Sequence, residues 1–297
     1  MAAIEAHGLS KSFGGRPACR NVSFAVERGE IFGFLGPNGA GKTTTLRMLA
    51  GLYAPDAGNA RVAGCEIAAG RAGDAELRGR VGLLTESPGF YDRLTARENL
   101  AYFAELQRAS HAARRCEALL ERFALREHAD RPFAELSRGM KQKLAIARAL
   151  VHEPEVVLLD EPTVGLDPEA TREVRNLVAD LSTLDVTIVL CTHHLEEVER
   201  LCSRAAFIAG RLVAVHEIRR QSVVRIELAA PFHAEPIRAL CRSLQVAGTA
   251  LLIEPRAEVP EIVAALVAAG ARIEAVARQQ DRLEDAWLEL LAEARAA

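Results

Sequence analysis

Residues 36–43 read Gly36-Pro37-Asn38-Gly39-Ala40-Gly41-Lys42-Thr43 and follow directly on the apolar run Ile31-Phe32-Gly33-Phe34-Leu35. A short apolar run reads as a buried strand, and Gly-x-x-x-x-Gly-Lys-Thr behind it reads as a phosphate-binding loop. The glycines permit backbone conformations and close approaches that a Cβ would obstruct. Successive N–H groups can then converge on phosphate oxygens, backed by the positive end of a helix starting near Lys42. Lys42 is expected to reach the β- and γ-phosphates, and the Thr43 hydroxyl to ligate Mg²⁺. A glycine turn that binds nothing is the plainer alternative, and the strand before the loop and the helix after it argue against that.

Working outward, Val156-Val157-Leu158-Leu159-Asp160-Glu161-Pro162 is a second buried strand, and it ends in two acids. Such a strand delivers Asp160 beside the phosphate loop, where a carboxylate can hold Mg²⁺ through water. Glu161 follows directly and is placed to polarise an attacking water. A third stretch, Leu136-Ser137-Arg138-Gly139-Met140-Lys141-Gln142, opens a helix running to Leu150. Ser137 is a good N-cap, and a serine and a glycine at a helix N-terminus also make an anion site.

Taken together, residues 4 to about 215 resemble the ATP-binding subunit of an ABC transporter. Gly36 to Thr44 is similar to the Walker A loop, and Asp160-Glu161 to Walker B with its catalytic glutamate. Ser137 to Met140 resembles the family signature, Gly165-Leu166-Asp167-Pro168 the D-loop, and Thr192-His193 the switch histidine. Phe13, in Leu9-Ser-Lys-Ser-Phe-Gly14, stands where the family stacks an aromatic on adenine. The resemblance implies that ATP binds through Phe13, Gly36, Pro37, Asn38, Gly39, Ala40, Gly41, Lys42, Thr43 and Thr44, with Ser137, Gly139 and Asp167 contributing across a dimer. It implies Glu161, His193 and Lys42 as catalytic groups, and Thr43 and Asp160 as Mg²⁺ ligands.

There are departures from the pattern. Arg138 and Met140 replace the usual Gly and Gln of the signature. Glu86, in Leu83-Leu84-Thr85-Glu86-Ser87-Pro88, stands at the glutamine of the Q-loop. A carboxylate there can accept a hydrogen bond or reach Mg²⁺, but adds negative charge beside the phosphates.

The chain has 297 residues, 49% hydrophobic and 26% charged, with 40 acidic and 37 basic side chains and a formal net charge of −3. That composition is globular, and the charge gives no reason to expect nucleic acid as a partner. Six scattered cysteines without a Cys-x-x-Cys pair read as reduced, mostly buried thiols rather than a zinc site or a disulfide framework. The best membrane candidate, Ile262 to Ala271, is too short to span and carries a glycine. The first seven residues lack the basic and apolar regions of a secretory signal. The expected location is therefore cytoplasmic, peripheral at the inner face of the membrane through a permease partner, without direct insertion.

The expected fold is α/β: an ABC-type P-loop ATPase domain over residues 1–218, with a helical subdomain inserted at about 76–149. Ile31 to Leu35, Val156 to Leu159 and Val186 to Cys191 read as strands of a mainly parallel sheet. Arg97 to Arg108 and Ala112 to Phe123 have amphipathic helical spacing. Residues 221–297 read as a small accessory α+β domain. It would have strands at Val223 to Leu228, Thr249 to Ile253 and Arg272 to Ala277, and helices at Ala234 to Leu244 and Pro260 to Ala268. A final helix would carry Leu283, Ala286, Trp287, Leu290 and Leu291 on one face, with Trp287 packed on that domain's sheet or on a neighbouring copy.

One phosphate loop and one signature per chain imply, through the resemblance, a head-to-tail homodimer or heterodimer closing over two ATP. Leu283 to Leu290 is similar to the tail of ATPases serving separate export permeases. A soluble ABC ATPase acting on ribosomes, DNA or cluster assembly is the alternative, although tandem modules and long coiled coils are missing from the sequence. A kinase or GTPase fits neither the signature nor the D-loop. Pro88-Gly89-Phe90-Tyr91 is expected on the permease-facing surface, or else in the core of the helical subdomain.

Overall fold

The computed structural model describes residues 2–85, 89–218 and 223–279, together with Trp287. They fall into two compact units, one within residues 1–218 and one within residues 219–289. Glu86, Ser87 and Pro88 lie outside the described residues, as does the proposed final helix apart from Trp287, which is half-buried.

In chain order the first unit opens with β1 (Ala2–Phe13), β2 (Arg16–Glu27), β3 (Ile31–Leu35), α1 (Lys42–Leu49), β4 (Ala57–Val62) and β5 (Cys65–Ala68). It continues through α2 (Ala75–Arg80), β6 (Val81–Leu84), α3 (Ala96–Leu106), α4 (Ala112–Arg122), α5 (Arg138–Leu150) and β7 (Val156–Asp160). It closes with α6 (Pro168–Leu181), β8 (Thr187–Thr192), α7 (Leu195–Leu201), β9 (Arg204–Ile208) and β10 (Leu212–Glu217).

Six of these strands form one sheet in the order β10-β9-β3-β8-β7-β6, parallel throughout except for β10 on β9. Every residue of β3, β7 and β8 is buried, as expected of central strands covered on both faces. The sequence reading had not placed a second sheet, antiparallel, in the order β2-β1-β4-β5. Its strands alternate buried and exposed side chains, and Phe24 on β2 meets Phe34 of β3 edge-on at 4.8 Å.

The segment 76–149 is mostly helical but also contains β6, a strand of the parallel sheet, which the sequence reading passed over. Thr95 and Glu98 close a reciprocal capping box at the start of α3. Phe90 packs between Phe103 and Phe133, with ring centroids 5.6 and 4.7 Å away, and is half-buried against these helices. Tyr91 is exposed beside Tyr102. The expectation that both rings face outward therefore holds for Tyr91 alone.

The second unit contains β11 (Val223–Leu228), β12 (Cys241–Ala247), β13 (Ala250–Pro255), α8 (Val259–Ala268) and β14 (Ile273–Gln279). They form an antiparallel sheet in the order β12-β13-β11-β14 over a core including Val224, Ile226, Leu251, Ile253, Ile262 and Leu266. The helix expected at Ala234 to Leu244 is instead a 3₁₀ turn, Glu235–Leu240, running into β12. Its apolar residues suit either period over so short a stretch, and pairing with β13 decides for the strand.

All six cysteines are free, and five of them are buried. No helix among the described residues is long and apolar enough to cross a membrane.

At the base of the parallel sheet, Glu30 ties β3 to β9. Arg204 donates from Nε at 2.8 Å and from Nη2 at 2.7 Å, while Ser203 Oγ and the Glu27 N–H donate at 2.9 Å each. Burial alone would raise the Glu30 carboxyl, but these hydrogen bonds outweigh it and hold it below the ordinary carboxylate range. A depressed carboxyl stabilises the fold above its unfolded pKa, and that contribution is lost as pH falls through the folded value. Glu30→Gln should cost about 1 kcal/mol at pH 7, discounted for the partly exposed guanidinium. Thermal unfolding followed from pH 7 to pH 3 should show the gap between wild type and variant closing as the medium becomes acidic.

Candidate active site

The phosphate loop is shaped by two steric demands. A Cβ on Gly36 would lie 2.2 Å from the Ile208 carbonyl oxygen, and one on Gly41 would lie 2.4 Å from that of Ala18. Gly41 also takes φ +96° as the N-cap of α1, a left-handed conformation open mainly to glycine. The loop thereby turns sharply out of β3 and into α1, whose first residues Lys42, Thr43 and Thr44 line a cleft.

Strand register brings the other functional groups to this loop. Leu35 of β3 pairs with Thr192 of β8, and Cys191 of β8 pairs with Asp160 of β7. The residues just beyond these pairs are Gly36, His193 and Glu161. Asp160 Oδ1 accepts from the Thr43 hydroxyl at 3.1 Å. His193 Nδ1 lies 3.0 Å from both carboxylate oxygens of Glu161. Lys42 Nζ donates to the Gly36 carbonyl at 2.6 Å and stands 3.6 Å from Glu161 Oε1.

Together with Ala18, Asn38, Gly39, Ala40, Gly41, Thr44 and Val164, these side chains line a cleft of about 490 Å³. Burial, opposed by the Thr43 hydrogen bond and reinforced by the charge of Glu161, pushes the Asp160 carboxyl up. A buried acid beside a second acid favours a cation between itself and the phosphates. The donor set, a hydroxyl and a carboxylate oxygen, suits a hard divalent ion.

Glu161 also carries backbone strain. Its φ is +49°, in the left-handed region that non-glycine residues rarely adopt, and it precedes Pro162, which narrows its choices further. Its N–H is tied to the Cys191 carbonyl at 2.9 Å.

The remaining site residues form a second cluster. Ser137 caps α5, accepting from the Met140 N–H at 3.2 Å, and Asp167 caps α6, accepting from the Ala170 N–H at 2.9 Å. The two helix starts touch: a Cβ on Gly139 would lie 3.0 Å from that of Ala170. Arg138 Nη1 donates to the Gly165 carbonyl at 2.6 Å. Signature and D-loop thus adjoin within one chain, and Ser137, Gly139 and Asp167 are not among the residues lining the cleft. Phe13 is not in that lining either; its ring is exposed and meets Tyr53 edge-on at 5.4 Å. Glu86 lies outside the described residues.

Sequence reasoning missed Ala18 and Val164 in the cleft wall, since neither carries a chemical signal. It also missed the buried Thr163 and Glu197 behind it.

This is the geometry of a phosphate loop facing two acids and a histidine, and it defines an ATP-hydrolysing cassette. The family model described as ABC transporter matches residues 19–164. A Nod factor export ATP-binding protein I of Paraburkholderia xenovorans is 46% identical over 72% of this chain and 70% of its own length. One from Rhizobium johnstonii is 36% identical over 97% of this chain and 94% of its own. Among solved structures, a dimeric ATP-binding cassette in a post-hydrolysis state with ADP and Pi is 25% identical at a TM-score of 0.65, covering 73% of this chain and 99% of that one. The chain belongs to the ABC transporter ATP-binding proteins. It binds ATP and is an ATP hydrolase, the ATP-binding subunit of an ABC transporter.

Arg138→Gly should free the D-loop from the signature helix. Amide exchange at Val164–Leu166 should quicken while β3 is unchanged, with a stability loss of about 1 kcal/mol, the ordinary worth of one hydrogen bond. Mass-detected hydrogen exchange on the full chain would measure it.

Proposed function

We propose that this chain closes as a dimer over two ATP molecules and drives a membrane permease in export. The observation that carries the reading is the split of the site into two clusters. Lys42, Thr43, Asp160, Glu161 and His193 line the cleft, whereas Ser137, Gly139 and Asp167 stand together outside its lining. A head-to-tail pair would bring the second cluster of each copy over the cleft of the other, completing two sites.

In such a site the loop N–H groups from Gly39 to Thr44 cradle the phosphates, and Lys42 exchanges its loop carbonyls for phosphate oxygens. Thr43 and Asp160 would hold Mg²⁺, with Glu86 as a further ligand, and the ion would neutralise charge on the β- and γ-phosphates. Glu161 takes a proton from the attacking water. His193, donating from Nδ1, holds the Glu161 carboxylate toward that water. Ser137 and Gly139 at the N-terminus of α5 offer N–H groups and a helix dipole to the γ-phosphate. Phe13 would stack on the adenine once the site is closed. Closure excludes water, which strengthens each of these interactions.

Export draws support from the named function of the Nod factor export relatives, one of which aligns along nearly the whole chain. A cytoplasmic chain, held at the inner face of the membrane by its permease, follows from that role. The second unit is read as an accessory domain that contributes contacts rather than chemistry.

Glu161→Gln should bind ATP with little change and hydrolyse it about a hundredfold or more slowly, as loss of a general base does. Light scattering with ATP should show the variant's mass doubling, and Lys42→Ala, which loses the phosphate cation, should not double. Wild-type turnover by Glu161→Gln would overturn its catalytic role, and a monomer at saturating ATP would overturn closure. A chain ending near Arg220, checked for folding by circular dichroism, should keep nucleotide affinity within about twofold, as expected of independent sites, and lose dimerisation or transport. A folded truncation that no longer binds ATP would contradict the division of labour.

A further inference from the structure

Among the described residues Asp160 and Glu197 are buried acids, and the chemistry above uses only the first. Glu197 sits on α7, the helix that begins just after His193 and His194. Its side chain is 1% exposed and accepts through Oε1 from the Thr163 hydroxyl. Arg175, reaching in from α6, places Nε 3.5 Å from the same oxygen. Among the described residues, Oε2 has no hydrogen-bond partner.

An arrangement of this kind is a poor way to gain stability. Burying a carboxylate is costly, and a half-satisfied polar network is worse than an apolar contact of the same shape. What it supplies is a fixed position. Thr163 lies two residues beyond Glu161, whose backbone is held in the left-handed region ahead of Pro162. A conformation that sparsely populated persists only where the surroundings enforce it. The N–H of Glu161 is fixed to Cys191 on one side, and the hydroxyl of Thr163 is fixed to Glu197 on the other.

We propose that Glu197 is a positioning residue. Through Thr163 it braces the strained Glu161 turn against the helix that follows His193, so that one buried contact holds both groups at the 3.0 Å separation seen in the cleft. Arg175 compensates the charge of Glu197 through its buried Nε, and its Nη1 meets the exposed Glu196 at 3.3 Å. This rests on the assignment of Glu161 as the group that polarises water. Glu197 is not among the residues that line the cleft, so its removal should slow turnover without weakening ATP binding.

Steady-state hydrolysis of Mg-ATP by the full chain, with affinity measured separately by a fluorescent ATP analogue, gives the test. Thr163→Val and Glu197→Leu should each lower kcat about tenfold, the usual effect of losing one charge-assisted hydrogen bond. Nucleotide Kd should stay within about twofold, and the double variant should be no slower than the slower single one, because both changes remove the same contact. Thr163→Ser, which keeps the hydroxyl, should restore the rate. If Glu197→Leu does not fold, the Val and Ser variants of Thr163 decide alone. The brace is overturned if Thr163→Val keeps the wild-type kcat, if Ser is as slow as Val, or if the two losses multiply. Glu161→Gln run alongside separates the causes: an active Glu161→Gln removes the assignment and the brace with it. An inactive Glu161→Gln beside a fast Thr163→Val removes the brace only.

Discussion

The register of three parallel strands is the constraint on which the site depends. β3, β8 and β7 are adjacent, and their pairing aligns Leu35 with Thr192 and Cys191 with Asp160. Each strand therefore releases its functional residue at the same edge of the sheet. All three strands are buried throughout, so a shift of register would drive polar residues into the interior. The burial that stabilises the sheet is thus also what sets Glu161 3.0 Å from His193 and 3.6 Å from Lys42.

Electrostatics decide how that edge behaves. Asp160 and Glu161 are consecutive acids, and burial already pushes Asp160 toward its neutral form. Lys42, at 3.6 Å from Glu161, and His193 are the basic side chains of the cleft. The same lysine is bonded to two loop carbonyls, Gly36 and Pro37, which are poorer partners for an ammonium than phosphate oxygens. A polyphosphate with a divalent ion satisfies both sets of groups together. That is why a phosphate loop and an acidic strand end are useful only as a pair.

Much of this was legible in the sequence, because the residues that shape the loop have no substitutes. Gly36 and Gly41 stand where a Cβ would strike a carbonyl oxygen, and Lys42 and Thr43 are bound to them by spacing. Buried central strands also announce themselves as apolar runs. The antiparallel sheet did not, since β1 and β2 alternate polar and apolar residues and include glycine and bulges. Cys241 to Leu244 reads as the end of a helix in the sequence, because a few apolar residues fit both periods until a partner strand decides. From the sequence Phe90 reads as surface or else core, and its half-buried position depends on Phe103 and Phe133, which lie far along the chain. Glu197 was invisible for a different reason: in Leu195-Glu196-Glu197-Val198-Glu199 nothing in the sequence distinguishes the buried acid from its solvated neighbours.

The central claim is that one edge of one sheet assembles the groups that bind and hydrolyse ATP, and that a second copy completes the site. A crystal structure of the full-length Glu161→Gln chain with Mg-ATP addresses it most directly. The γ-phosphate should then lie within hydrogen-bond distance of Lys42 Nζ, with the metal on Thr43 Oγ1 and Ser137 of a second copy facing the same phosphate. A nucleotide bound away from Lys42, or a γ-phosphate met by Ser137 of its own chain, would contradict it.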